Sequence, residues 1–111
     1  LAREVRPDGK RAVTHYEALG GSQGRSLLRI TPETGRTHQI RVHMAWLGHP
    51  LTGDFLYGTE IPELIPRAAL HAYTLEFQHP ITGQHLSFRA PMPQDMERLM
   101  ADEPNKTAAV F

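Results

Sequence analysis

The sequence predicts an α+β fold, a mixed, mainly antiparallel sheet with short helices, on three observations. Two pairs of strand-like runs are each joined by a Gly-containing turn, one stretch between them has helical period, and a short polar helix follows the second pair. Asp8-Gly9 turns into the first strand, from about Lys10 to Ala18, where Val13, His15 and Glu17 alternate with Ala12, Thr14 and Tyr16. Gly20-Gly21-Ser22-Gln23-Gly24 reads as a loop, and Ser26 to Thr31 as its antiparallel partner. The helix spans Thr37 to Leu47, with Thr37 a candidate cap, Gly48 a candidate C′ residue and Pro50 barring continuation. An irregular stretch from His49 to Pro66, broken by Gly53, Gly58, Pro62 and Pro66, is long enough to serve a function. The second hairpin joins Ala68–Gln78 to Gln84–Arg89 through His79-Pro80-Ile81-Thr82-Gly83, with Gly83 free to take positive φ. Pro93-Gln94-Asp95 opens a helix to about Met100, and the polar residues from about 102 read as a frayed tail.

Composition sets the outer limits. A chain of 111 residues, 40% hydrophobic, buries one modest core, so one domain or part of one is expected. No apolar run approaches the ~20 residues of a membrane span, no signal peptide opens the chain, and cysteine is absent, which together point to a soluble cytoplasmic protein. The formal net charge of zero conceals a dipolar distribution. Residues 1–49 hold eight basic side chains against four acidic ones, and residues 50–111 the reverse. A basic first half can attract phosphate while the acidic half faces solvent. Ten of the twelve basic residues are arginine, which suits bidentate contact with phosphate or carboxylate.

The run Thr34-Gly35-Arg36-Thr37-His38-Gln39-Ile40-Arg41-Val42-His43 places two arginines and two histidines together without an acid among them. A helical wheel puts Ile40, Met44 and Leu47 in one apolar wedge and Val42, Ala45 and Trp46 in another, with Arg41 in the gap. A helix apolar on two sides is expected to pack on two sides. Arg41 is then part-buried and needs an acid opposite, because an unpaired buried charge costs several kcal/mol or more. Glu33 and Asp54 are the nearest carboxylates in sequence; the acid is either Asp54 or one outside these residues. Tyr57, in a Gly-flanked loop, is the better candidate for an exposed stacking surface, and Trp46 for core. The seven histidines do not make a metal site: His38 and His43 are five apart, off the i, i+4 face, and His71, His79 and His85 lack acidic or thiolate company.

Thr34 to His43, continued by Leu47-Gly48-His49-Pro50-Leu51 and Gly53-Asp54-Phe55-Leu56-Tyr57-Gly58, resembles the C-terminal half of the catalytic domain of the ribosomal large-subunit pseudouridine synthases of the Rlu type. Leu70-His71-Ala72, Leu75, Phe77, His79-Pro80, Thr82-Gly83 and Ala90-Pro91-Met92-Pro93 extend the resemblance, which runs from about Lys10 to Met100. It implies isomerisation of uridine to pseudouridine in structured RNA, with ribosomal RNA as partner and with neither cofactor nor metal. The family's nucleophile is an aspartate in an upstream Arg-Leu-Asp; no Arg-Leu-Asp occurs here, and the upstream active-site tyrosine has no counterpart. Arg41 aligns with the arginine that pairs with the nucleophile and is the candidate catalytic residue. Arg36, Thr37, His38 and Gln39 are the candidate substrate-binding residues. Residues 1–111 are accordingly expected to be the C-terminal portion of such a domain, inactive without the remaining N-terminal part, and Leu1 in place of Met fits that expectation. Two other readings stay open: an RNA-binding module without catalysis, and a structural domain in which Arg41 pairs with Asp54.

Overall fold

A computed structural model describes residues 2–5, 12–20, 24–33 and 38–111. Their elements are β1 (Ala2–Val5), β2 (Ala12–Gly20), β3 (Ser26–Pro32), α1 (Gln39–Trp46), β4 (Leu70–His71), β5 (Thr74–Gln78), β6 (His85–Arg89), α2 (Gln94–Asp102) and β7 (Thr107–Val110). Five strands form one mixed sheet in the order β1-β2-β3-β7-β4, and β5-β6 form a separate antiparallel ribbon. β1–β2 and β2–β3 are antiparallel, whereas β7 lies parallel to both β3 and β4. The α+β architecture, a mixed and mainly antiparallel sheet arrangement with two short helices, is the one expected.

β7 overturns the reading of the last residues as a frayed tail. Thr107-Ala108-Ala109-Val110 inserts between β3 and β4, with Ala108 and Ala109 wholly buried. Side chains alternate across a strand, so Ala109 faces one side of the sheet while Ala108 and Val110 face the other. On the first side Leu28, Ile30, Ile40, Met44, Leu51 and Ala109 make a core under α1. On the second Ile65, Ala69, Met96, Leu99, Ala108 and Val110 make a core under α2. Alanine suits the central strand because its small side chain lets both layers come close.

The strand expected over Ala68–Gln78 is two strands. β4 pairs with β7 for only two residues, then the Tyr73 and Thr74 amides both donate to the Phe111 carbonyl, and the chain leaves the sheet. The β5–β6 ribbon that follows closes as predicted at Gly83, whose φ is 72°. Its Phe77 and Phe88 stack with centroids 5.9 Å apart, yet every β5 residue remains exposed. Leu75, Ile81 and Phe88 also stay largely in solvent.

α1 keeps the predicted stop. Gly48 takes φ 84° and donates to Ala45, while His49 donates to Met44, which closes the last turn. The prediction that α1 packs on two sides does not hold. Ile40 and Met44 are buried, but Trp46, assigned to the second apolar wedge, is 72% exposed. A wheel gives the direction of a side chain and not whether another element lies there. Beyond α1 the chain is irregular, as expected, but not loose. Thr52 receives an amide from Ala69, gives its own to Thr107 and accepts the Thr107 amide on its hydroxyl. Gly53 has φ 81°, and a Cβ there would lie 2.4 Å from the Arg67 carbonyl, so only glycine fits. Among the described residues no helix is long and apolar enough to cross a membrane.

Removal of residues 107–111 should therefore abolish folding and not merely trim an end, since it takes the shared wall from both cores. Thermal unfolding followed by far-UV circular dichroism should lose its cooperative transition. A melt within a few degrees of the intact chain would contradict the central placement of β7.

Candidate functional site

The first turn of α1 is assembled from both flanks. His38 stands at the N-cap in the left-handed region, φ 51°, and supplies no side-chain cap. Gln39 is buried, and its amide nitrogen donates to the Val13 carbonyl at 2.7 Å and to the Thr14 hydroxyl at 2.8 Å. Gln39 thus ties α1 to β2. Gln39, read from the sequence as substrate-binding together with Arg36, Thr37 and His38, has its side chain turned into the fold. Arg36 and Thr37, with the proposed Thr37 cap, lie outside the described residues.

Arg41 turns toward the loop after the helix. Its Nε donates to Asp54 Oδ2 at 3.0 Å and its Nη2 to Asp54 Oδ1 at 2.7 Å, a bidentate pair. Asp54 is fully buried, and the Arg41 side chain is 15% exposed. The counter-ion that the helix requires is therefore present in this chain, and of the two sources left open by the sequence, Asp54 or an acid outside these residues, it is Asp54. Glu33, the other nearby acid, pairs with His15 on β2 instead. The burial of Arg41 also has a different source from the one predicted: the guanidinium carbon sits 5.4 Å from the ring centres of both Phe55 and Tyr57.

Asp54 is held independently of Arg41. Its Oδ1 accepts the amides of Leu56 at 3.1 Å and Tyr57 at 3.2 Å, a side-chain turn of the type aspartate favours. Burial alone would raise its pKa, but the Arg41 hydrogen bonds, the two amides and the Arg41 charge outweigh that and hold the carboxyl below its ordinary range. Hydrogen bonding to Asp54 likewise raises Arg41 above its ordinary value, against the opposing effect of burial. Both groups are charged at neutral pH. Tyr57 extends the cluster outward, its hydroxyl 3.2 Å from His38 Nδ1 and the two rings edge to face. Phe55, 65% exposed, was not singled out in the sequence. Its signal was its place beside Asp54 and two residues before Tyr57.

The other histidines have structural surroundings. His71 Nε2 donates to the Ala90 carbonyl at 2.9 Å, and His79 Nδ1 accepts the Ile81 and Thr82 amides in the hairpin turn. Among the described residues no three His, Asp or Glu side chains converge as metal ligands would. His43, 2% exposed on the buried side of α1, has no hydrogen-bond partner at either ring nitrogen among the described residues, and burial lowers its pKa.

Sequence comparison places this cluster in context. A family model described as RNA pseudouridylate synthase matches residues 1–46, which include Arg41. An uncharacterized RNA pseudouridine synthase of Bacillus subtilis, YjbO, is 50% identical over 103 residues, covering 93% of this chain and 36% of the relative. The chain belongs to the pseudouridine synthase family. Ribosomal large subunit pseudouridine synthase D of Vibrio cholerae is 50% identical over 105 residues, covering 83% of this chain and 32% of its own length. The Xanthomonas campestris protein of the same name is 46% identical over 114 residues, with 91% and 34% covered. The chain thus spans about a third of the length of the relatives it matches. Within this chain, Arg41 and His38 come together around Tyr57, whereas Gln39 turns inward.

The titration of His43 has a definite sign. Its folded-state pKa lies below 6.5, so the unfolded chain takes up the proton first as pH falls. The stability that neutral His43 permits is complete above pH 6.5 and is lost progressively as pH drops through the lower folded value. Asp54 acts in a lower window: its contribution is present above 3.8 and disappears as pH falls through its depressed value. Urea unfolding at about pH 7.5 and about pH 5.5 should show a loss for the parent chain, bounded by about 1.4 kcal/mol per pH unit for one proton. His43→Leu should reduce that loss; an unchanged pH dependence would show that His43 does not carry it.

Proposed function

We propose that the protein isomerises uridine to pseudouridine in structured RNA, with ribosomal RNA as substrate, in the cytoplasm and without cofactor or metal. The reaction exchanges the N1–C1′ bond of uridine for a C5–C1′ bond and moves a proton from C5 to N1, so product and substrate have the same composition. A carboxylate acting on the ribose or the base must drive it, and an arginine orients that anion and keeps it ionised. Arg41 has this role in our reading, opposite an aspartate supplied by polypeptide outside these 111 residues. Arg36, Thr37 and His38 contact the RNA, and this portion of the catalytic domain is inactive by itself. The relatives named as acting on the ribosomal large subunit support the choice of RNA.

The observation that carries the reading is that Asp54 engages only one edge of Arg41. Nε and Nη2 are taken, while Nη1 donates to no group among the described residues. A guanidinium has five N–H donors, so it holds a second oxyanion beside the first. A purely structural reading has one specific observation in its favour, namely that Asp54 already neutralises Arg41. The two readings differ in what replacement of Arg41 does to catalysis.

Arg41→Lys keeps the charge and loses the fork. In the full-length natural protein, pseudouridine formation on transcribed large-subunit ribosomal RNA should fall about a hundredfold or more. The 111-residue chain alone should form none. Turnover by that chain, or a folded Arg41→Lys protein with nearly full activity, would overturn the proposal.

A further inference from the structure

Asp54 is a fully buried carboxylate committed on one side to Arg41 and on the other to the loop that carries it. We propose that it is a positioning residue for the isomerisation: it selects and fixes the edge of Arg41 that meets the nucleophilic carboxylate. The inference rests on the reading of Arg41 given above and adds to it a second acid that never touches the substrate.

A guanidinium presents two forks to planar oxyanions, a side fork of Nε with Nη2 and an end fork of Nη1 with Nη2. Asp54 fills the side fork at 3.0 and 2.7 Å. The end fork is what remains for a second carboxylate. Without Asp54 the two forks compete, and the long side chain samples several rotamers. With it, the plane of the guanidinium is set by two hydrogen bonds and by the flanking Phe55 and Tyr57 rings.

The rigidity has a traceable origin. β7 grips Thr52 through the Thr107 amide and carbonyl, Gly53 permits the close pass beneath Arg67, and the Leu56 and Tyr57 amides clamp Asp54 Oδ1. Arg41 is thereby referenced to the central strand of the sheet as well as to its own helix. The pair carries no net charge, so a second anion is held by direction more than by excess positive potential. A positioning role and a charge-supplying role therefore predict opposite changes when Asp54 is neutralised. Loss of Asp54 makes the site more cationic and should not weaken RNA binding, but it misaims the end fork.

Asp54→Asn in the full-length natural protein, assayed on transcribed large-subunit ribosomal RNA, should lower kcat about ten- to a hundredfold while KM stays within about twofold. A folded variant with kcat near the parent value overturns the proposal, as does a rise in KM at unchanged kcat. If Arg41→Lys is also fully active, the reading of Arg41 itself falls, an outcome distinct from retained activity in Asp54→Asn alone. Should Asp54→Asn not fold, nitrogen-15 spectra of the unsubstituted protein decide the matter. Hindered rotation should give Arg41 two separate Nη resonances, and a single averaged resonance overturns the proposal.

Discussion

The bidentate pair between Arg41 and Asp54 is the constraint around which this part of the molecule is arranged. A fully buried carboxylate and a nearly buried guanidinium each lose hydration worth several kcal/mol, which only close geometry and further hydrogen bonds can offset. The remaining features of the loop supply those. The Leu56 and Tyr57 amides complete the oxygens of Asp54, the aromatic rings of Phe55 and Tyr57 cover the cation, and Gly53 lets the backbone pass where any side chain would strike Arg67.

The sheet makes that arrangement possible. β7 is shared by two cores, one beneath α1 and one beneath α2, and its Thr107 anchors Thr52 just before Asp54. The helix and the loop that form the site are thus fastened to the same strand. Gln39 adds a second anchor by holding the start of α1 to β2 through Val13 and Thr14. Between these fixed points the outward parts of the cluster, His38, Phe55 and Tyr57, remain open to solvent. A rigid interior with an accessible rim is the disposition expected of a site that must orient a partner without itself rearranging.

Much of this was legible from residue pattern. The β2–β3 hairpin, the period and stop of α1, the turn at Gly83 and the anomalous Arg41 each follow from local rules of spacing and turn chemistry. What escaped was non-local. β7 is a short Thr-Ala-Ala-Val run after a polar stretch, weak in intrinsic strand preference, and it is defined by pairing with Ser26–Arg29 far upstream. Trp46 was misplaced because a wheel supplies angles but no neighbours. Gln39, a polar residue in a cationic run, reads as exposed until its partners on β2 are seen. The Arg41 counter-ion lay between these cases: the need for an acid was readable, but the choice between Asp54 and an outside group depended on the fold of a loop without period. The resemblance to the pseudouridine synthases reached further than any of these patterns, since it rested on many short segments in order.

A double-mutant cycle on stability, with Arg41→Met, Asp54→Asn and the combined variant in urea unfolding at neutral pH, tests the coupling most directly. A buried, mutually dependent pair should show a coupling of about 2 kcal/mol or more, with the double variant more stable than the single losses sum to. A coupling below about 0.5 kcal/mol would mean that the two side chains are adjacent without depending on each other, and would contradict the account at its base.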